Sequence, residues 1–165
     1  MDLIVTADGR ARFGAHLWPC RLGRAGITAT KREGDGATPA GAWPVRALLY
    51  RPDRLARPST ALPCSALEVE DGWCDDVADP AYNRRVRLPH PGRCEALWRD
   101  DAVYDLIVPL GYNDDPVIRG AGSAIFLHLA RADGGPTEGC VALELEALLL
   151  FLAQATPASR VVVTG

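Results

Sequence analysis

The sequence predicts a mainly β domain with one or two helices, and three observations carry that expectation. Glycine and proline, 16 and 13 of 165 residues, are scattered along the whole chain, as suits many short strands and turns. The apolar runs are short, and they either alternate with period two or stay continuous over a strand's length. Only the stretch after Cys140 has clear helical periodicity. The length fits a single domain spanning residues 1–165, enough to bury a core without metal or disulfide.

Taken in order, "LIVTADGRARF" reads as a hairpin that turns at Asp8-Gly9. "GITATK" alternates apolar and small polar residues, as a half-buried strand does. "KREGDGATPAGAWPVRALLY" is a Gly/Pro-punctuated loop running into a strand near Trp43. From Arg51 to Leu97 the chain reads as loop with brief strands. "AVYDLIVPLGYN" is a strand ending in a Gly-Tyr-Asn turn. "SAIFLHLA" is nearly all apolar, as a strand covered on both faces would be. Beyond Cys140, Leu145, Leu148, Leu149 and Leu152 share one helical stripe, with Glu144 and Glu146 in the first turn and Pro157 past the end. "RVVV" closes the chain as a strand.

The net charge of −3 and the lack of any Lys/Arg cluster argue against nucleic acid and against a polybasic membrane patch. No apolar stretch is long enough to span a bilayer. The opening "MDLIVTADGRARFGAHLWPC" lacks a basic start and a long apolar run, so it does not read as a signal peptide. A cytosolic chain, a removed leader and another export route stay open. The five cysteines, Cys20, Cys64, Cys74, Cys94 and Cys140, form no C-x-x-C pair. The usual zinc-ligand spacings are missing, so no metal site is expected. His16 and His90 have no motif and read as surface or structural.

Two residues carry the chemistry. His128 interrupts the apolar run, and Cys140 follows Gly139 where a loop meets packed structure. A cysteine and a histidine suffice for acyl transfer: the imidazole takes the thiol proton and the sulfur attacks a carbonyl. Gly139 permits a sharp turn and a close substrate, and the N–H groups of Gly139 and Cys140 could face an oxyanion. A packed cysteine and a satisfied core histidine are the alternative.

The motif "F-L-H-x(8)-T-E-G-C-V-A-L" follows "Y-x-L-x-V-x-x-G-Y-N" and, upstream, "E-G-D-G-x-T-P-x-G-x-W-P-V". In that order the three blocks resemble the YkuD-type L,D-transpeptidases, over roughly Lys31 to Leu150. Thr38, Pro39, Gly41, His128, Thr137, Gly139 and Cys140 match the family pattern. The resemblance implies a β-sandwich with the cysteine at the mouth of a cleft. It implies peptidoglycan stem peptides as substrate, a thioester on Cys140, and transfer to a diaminopimelate side-chain amine. His128 would be the base, its ring oriented by the carbonyl of Leu129. No cofactor is implied. The location implied is periplasmic or cell-wall associated.

Glu138 replaces the family's usual histidine, and Ala142 replaces a common Arg or Asn. Glu138 is expected to bind an amine of the acceptor or donor, and to raise the cysteine pKa if it lies close. Arg131, Arg119 or Arg84 would then hold a stem carboxylate. The missing cation leaves two products open, 3-3 and 1-3 crosslinks. In "GWCDDVADPAYNRRV", Trp73, Asp75, Asp76 and Asn83 are candidates for the cleft wall, with a purely structural loop as the alternative. Tyr112, Asn113 and Thr137 complete the candidate substrate contacts. Cys74 reads as structural, bridged to Cys94 or Cys64. Water as acceptor would give a carboxypeptidase or endopeptidase instead. A non-catalytic wall-binding β domain is the reading from another class.

Overall fold

The computed structural model describes all 165 residues. Two five-stranded sheets and one helix enclose the main core. The terminal sheet has the order His16–Pro19, Arg10–Phe13, Leu3–Thr6, Arg160–Thr164, Gly41–Pro44. Its first and last strands in the chain pair in parallel, Leu3 opposite Val161. The central sheet has the order Val141–Leu143, Phe126–Leu129, Leu106–Pro109, Leu48–Tyr50, Cys64–Ala66. Leu3, Val5, Val161 and Val163 of the terminal sheet join Leu106, Val108, Leu127 and Val141 of the central sheet in one apolar cluster.

The expected hairpin forms: Leu3–Thr6 pairs antiparallel with Arg10–Phe13, and Gly9 takes the positive φ of 73° that its turn requires. Phe126–Leu129 is buried at every position, as its continuous apolar sequence requires. "GITATK" yields only Ile27–Thr28, paired in parallel with Thr38–Pro39. Pro39 has no N–H to extend that ladder.

The helix Leu145–Gln154 buries Ala147, Leu148, Phe151 and Leu152. The buried stripe is therefore rotated from the expected one, and Leu145 is 38% exposed at the helix start. Phe151 makes an edge contact with Phe13 of the terminal sheet, centroids 5.1 Å apart, so the helix caps one side of the core. Ala155 is extended, and Pro157 lies just beyond.

The middle of the chain builds a third sheet, ordered Arg85–Arg87, Asp71–Cys74, Cys94–Ala96. Asp71 and Arg85 clamp it with paired hydrogen bonds of 2.9 and 2.6 Å. All five cysteines are free thiols, so neither bridge considered from the sequence is formed. Cys74 and Cys94 nevertheless stand directly opposite each other in this sheet.

Candidate active site

Strand alternation decides which side chains meet. Leu127 pairs with Val141 and His128 with Ala142, in parallel. Leu127, Leu129, Val141 and Leu143 therefore face the main core, while Phe126, His128 and Ala142 face the other way. Cys140, just ahead of its strand, joins that second face and packs in a smaller cluster with Phe126, Tyr104 and Ile107. His128 and Cys140 both line one cleft of about 540 Å³ on that face.

The turn that presents the sulfur is over-determined. Gly139 has φ 136°, and an added Cβ would lie 2.8 Å from the Ala37 carbonyl oxygen, so only glycine fits. The Thr137 hydroxyl donates to the Cys140 carbonyl at 2.7 Å and accepts the Gly139 N–H at 3.1 Å. Thr38 reaches the same carbonyl at 3.4 Å while accepting the Gly23 N–H at 2.8 Å. The Thr-Pro block and the Thr-Glu-Gly-Cys block thus meet at one backbone oxygen. Thr137 occupies the Gly139 N–H, while the Cys140 N–H donates to no protein acceptor. Of the two N–H groups expected from the sequence to face an oxyanion, that of Gly139 is engaged within the turn.

His128 Nδ1 lies 2.8 Å from the Leu129 carbonyl oxygen, which fixes the ring with hydrogen on Nδ1 and a lone pair on Nε2. The Tyr104 ring packs edge-on against it at 5.3 Å. The Tyr104 hydroxyl donates to Glu95 at 2.6 Å, and the Arg99 guanidinium lies over the Tyr104 ring at 5.1 Å. His128 is 4% exposed. Burial depresses its pKa to about 4, so the imidazole is neutral at pH 7.

Cys140 is 7% exposed. Its sulfur accepts the Phe126 N–H at 3.3 Å and donates to the Ala124 carbonyl at 3.2 Å. Burial pushes the thiol up to about 12, the Glu95 carboxylate adds to that, and the Phe126 N–H and Lys31 oppose it. The resting pair is therefore neutral thiol and neutral imidazole. The carboxylate acting on the sulfur is Glu95, not the Glu138 expected from the sequence. Glu138 is 74% exposed at its side chain and pairs with Arg24.

The remaining sequence candidates divide. Thr137, Glu138, Arg131 and Asp75 line the cleft. Arg131 pairs with Asp133 at 2.7 Å, and Asp75 with Arg93 at 3.0 Å. Trp73, Asn83, Tyr112 and Asn113 do not line it. The Trp73 indole N–H donates to Asn83 at 2.9 Å and its ring packs edge-on against Phe126 at 5.0 Å. The Asn83 amide donates to the Tyr112 and Asn113 carbonyls at 3.1 and 2.7 Å, and its oxygen also accepts the Ala124 N–H at 3.0 Å. Asn83 thereby holds the residue whose carbonyl accepts the thiol hydrogen bond. The Tyr112 hydroxyl donates to the Ala121 carbonyl, and Asn113 bonds Ile118 and Gly122, so both shape the 111–122 loop. Arg119 is spent on the Val77 and Ala78 carbonyls, and neither it nor Arg84 reaches the cleft.

Sequence reasoning passed over Lys31, Glu95 and Tyr104. Lys31 is the sole lysine in the chain, beside 17 arginines among the 18 basic residues, and that rarity was its available signal. Its side chain is 5% exposed, and its ammonium pairs with Asp35 and lies 3.5 Å from where a Cβ on Gly139 would sit. Glu95 and Tyr104 carried no signal, because their meeting brings a strand of the third sheet against the turn that precedes Leu106–Pro109.

Fold and site together define a β protein that offers a cysteine and an oriented histidine to one cleft. The chain matches the family model described as the L,D-transpeptidase catalytic domain, YkuD, over residues 3–163, and it belongs to that family. This family acts on peptidoglycan. No curated protein and no solved structure matches the chain.

Proposed function

We propose that the protein is a peptidoglycan L,D-transpeptidase with Cys140 as nucleophile and His128 as general base. The single observation that carries this reading is that both side chains open from one sheet face into one cleft, with Nε2 as the ring's free lone pair. The donor stem peptide places its scissile carbonyl over Cys140. The thiol turns from Ala124 toward Nε2 and gives up its proton as the sulfur attacks. The Phe126 N–H and the Lys31 ammonium stabilise charge on the sulfur, and the Cys140 N–H receives the carbonyl oxygen. The imidazolium returns its proton to the departing amine, which leaves a thioester. Nε2 then takes a proton from the diaminopimelate amine of the acceptor. That amine attacks the thioester carbonyl, and the sulfur leaves and regains its proton.

Lys31 holds a carboxylate of the stem, the role left open by Ala142. Glu138 binds an amine at the cleft entrance, exchanging its exposed partner Arg24 for the substrate ammonium; such exposed pairs are worth only about 0.2–1 kcal/mol, so the exchange is easy. Trp73, Asn83, Tyr112 and Asn113 act as scaffold. The location that follows is the periplasm or wall, where the substrate lies.

The test is incubation of purified muropeptides with wild type and Cys140→Ala, read by tandem mass spectrometry. Crosslinked dimers in the wild type alone are expected, and the fragment ions assign 3-3 or 1-3 bonds. Shortened monomers alone would make the protein a hydrolase. Unchanged substrate in both samples, with no electrophile labelling of Cys140, would reject the enzyme reading.

A further inference from the structure

Outside the cleft, one cluster of ligand-forming side chains has no part in the chemistry above. Cys74, His90 and Cys94 bring two sulfurs and a ring nitrogen within 4.8 Å of one another. We infer that this cluster is a structural site for a borderline-soft divalent transition metal of the zinc class.

Three features of the fold support it. Cys74 and Cys94 are opposite neighbours on antiparallel strands. The flanking Asp75 N–H bonds the Arg93 carbonyl at 3.2 Å, so the two cysteines form the non-hydrogen-bonded pair, whose side chains lie closest. His90 then lies across the sulfurs with its Nε2 3.1 Å from Asp79. Asp79 is itself fixed by the Ala81 N–H at 2.7 Å. A Cβ at Gly92 would meet the Asp79 carboxylate at 2.5 Å, so the glycine makes room for that contact. With Nε2–H donating to Asp79, Nδ1 carries the lone pair, the carboxylate–histidine–metal arrangement that orients a ligating ring.

Two sulfurs and one imidazole are a donor set that suits zinc, with solvent as fourth ligand beside the partly exposed His90 and Cys94. Binding forms two metal–sulfur bonds and one metal–nitrogen bond. It releases the two thiol protons to water and involves no change of oxidation state. The linear signal was slight, His90 four residues before Cys94, because Cys74 is brought to them by strand pairing rather than by a short loop.

The site has a place in the architecture. By alternation, Cys74 and Cys94 occupy one face of the small sheet, while Asp75, Arg93 and Glu95, which line the cleft, occupy the other. A metal on the back would pin the wall that carries Glu95.

Cobalt(II) titration of the fully reduced full-length protein tests this, followed by its thiolate-to-metal absorption. The expected result is saturation at one equivalent, displacement by zinc, and a rise in melting temperature with zinc. Cys94→Ser and His90→Ala, both at partly exposed positions, should lose the signal. Asp79→Asn should weaken binding by about 10–100-fold. Cys140→Ala should bind as wild type does, which separates this site from the catalytic reading. Absence of the absorption in wild type, its survival in Cys94→Ser, or its loss in Cys140→Ala would overturn the inference. So would a Cys74–Cys94 disulfide found by peptide mapping of protein taken from its native compartment.

Discussion

The two faces of the central sheet use the same strands for opposite ends. On one face Leu127, Leu129, Val141 and Leu143 are packed into the main core. On the other, one residue along each strand, His128, Cys140 and Ala142 border a cleft. Both faces are covered, so hydropathy alone does not separate them. The difference lies in what covers them: helix and terminal sheet on one side, loops and the small third sheet on the other. His128 and Cys140 are thus as buried as core residues and still border open space, because a cleft rather than packed side chains lies beside each.

The largest effect should come from the cleft face. His128→Gln keeps the burial and removes the base, and it should lower turnover by about 10²–10⁴-fold in a muropeptide assay, with melting temperature little changed. Leu127→Ala, one residue away, should do the reverse. It removes a fully buried side chain and should cost about 2–5 kcal/mol in denaturant unfolding, with activity per folded molecule retained. Equal loss of both properties in both variants would erase the distinction between the faces.

Acid offers a sharper test. His128 has its folded pKa lowered from 6.5 to about 4, so between those values the unfolded chain binds the extra proton. Stability contributed by the neutral ring is fully present above pH 6.5 and is lost as pH falls toward 4, about 3 kcal/mol in total. Unfolding free energies measured across that window should show this slope in wild type and not in His128→Gln. Gly139→Ala comes next, at about 1–3 kcal/mol for the strained φ, with the Ala37 contact adding to it; alkylation of Cys140 should slow as the turn shifts. Smallest is Glu138→Gln. At so exposed a position it should change stability by less than about 1 kcal/mol, while dimer formation falls more than Cys140 alkylation does. Equal loss of the two reactions would remove Glu138 from amine binding.

Much of the candidate site was legible because its signals are local. Gly139 before Cys140, and His128 inside an apolar run, need only neighbouring residues to be noticed. The hairpin at Asp8-Gly9 and the strand at Phe126–Leu129 follow from turn chemistry and periodicity. The proposed wall residues fared differently. Trp73 and Asn83 look like binding groups in a polar loop, but each satisfies the other's hydrogen bond, and Asn83 is 3% exposed. Nothing in the loop sequence says that an amide will find an indole ten residues away rather than a ligand.

By itself the sequence determined the β-rich class, the order of the blocks around Thr38, His128 and Cys140, and the need for glycine at 139. These rest on backbone sterics and on periods of two and 3.6, which act over a few residues. Only the tertiary structure decided that Lys31 sits beside the Gly-Cys turn, that Glu95 rather than Glu138 acts on the sulfur, and that Cys74 meets Cys94. Those contacts join segments separated by tens of residues, and long-range strand pairing, not local propensity, sets which charges share a low-dielectric cleft.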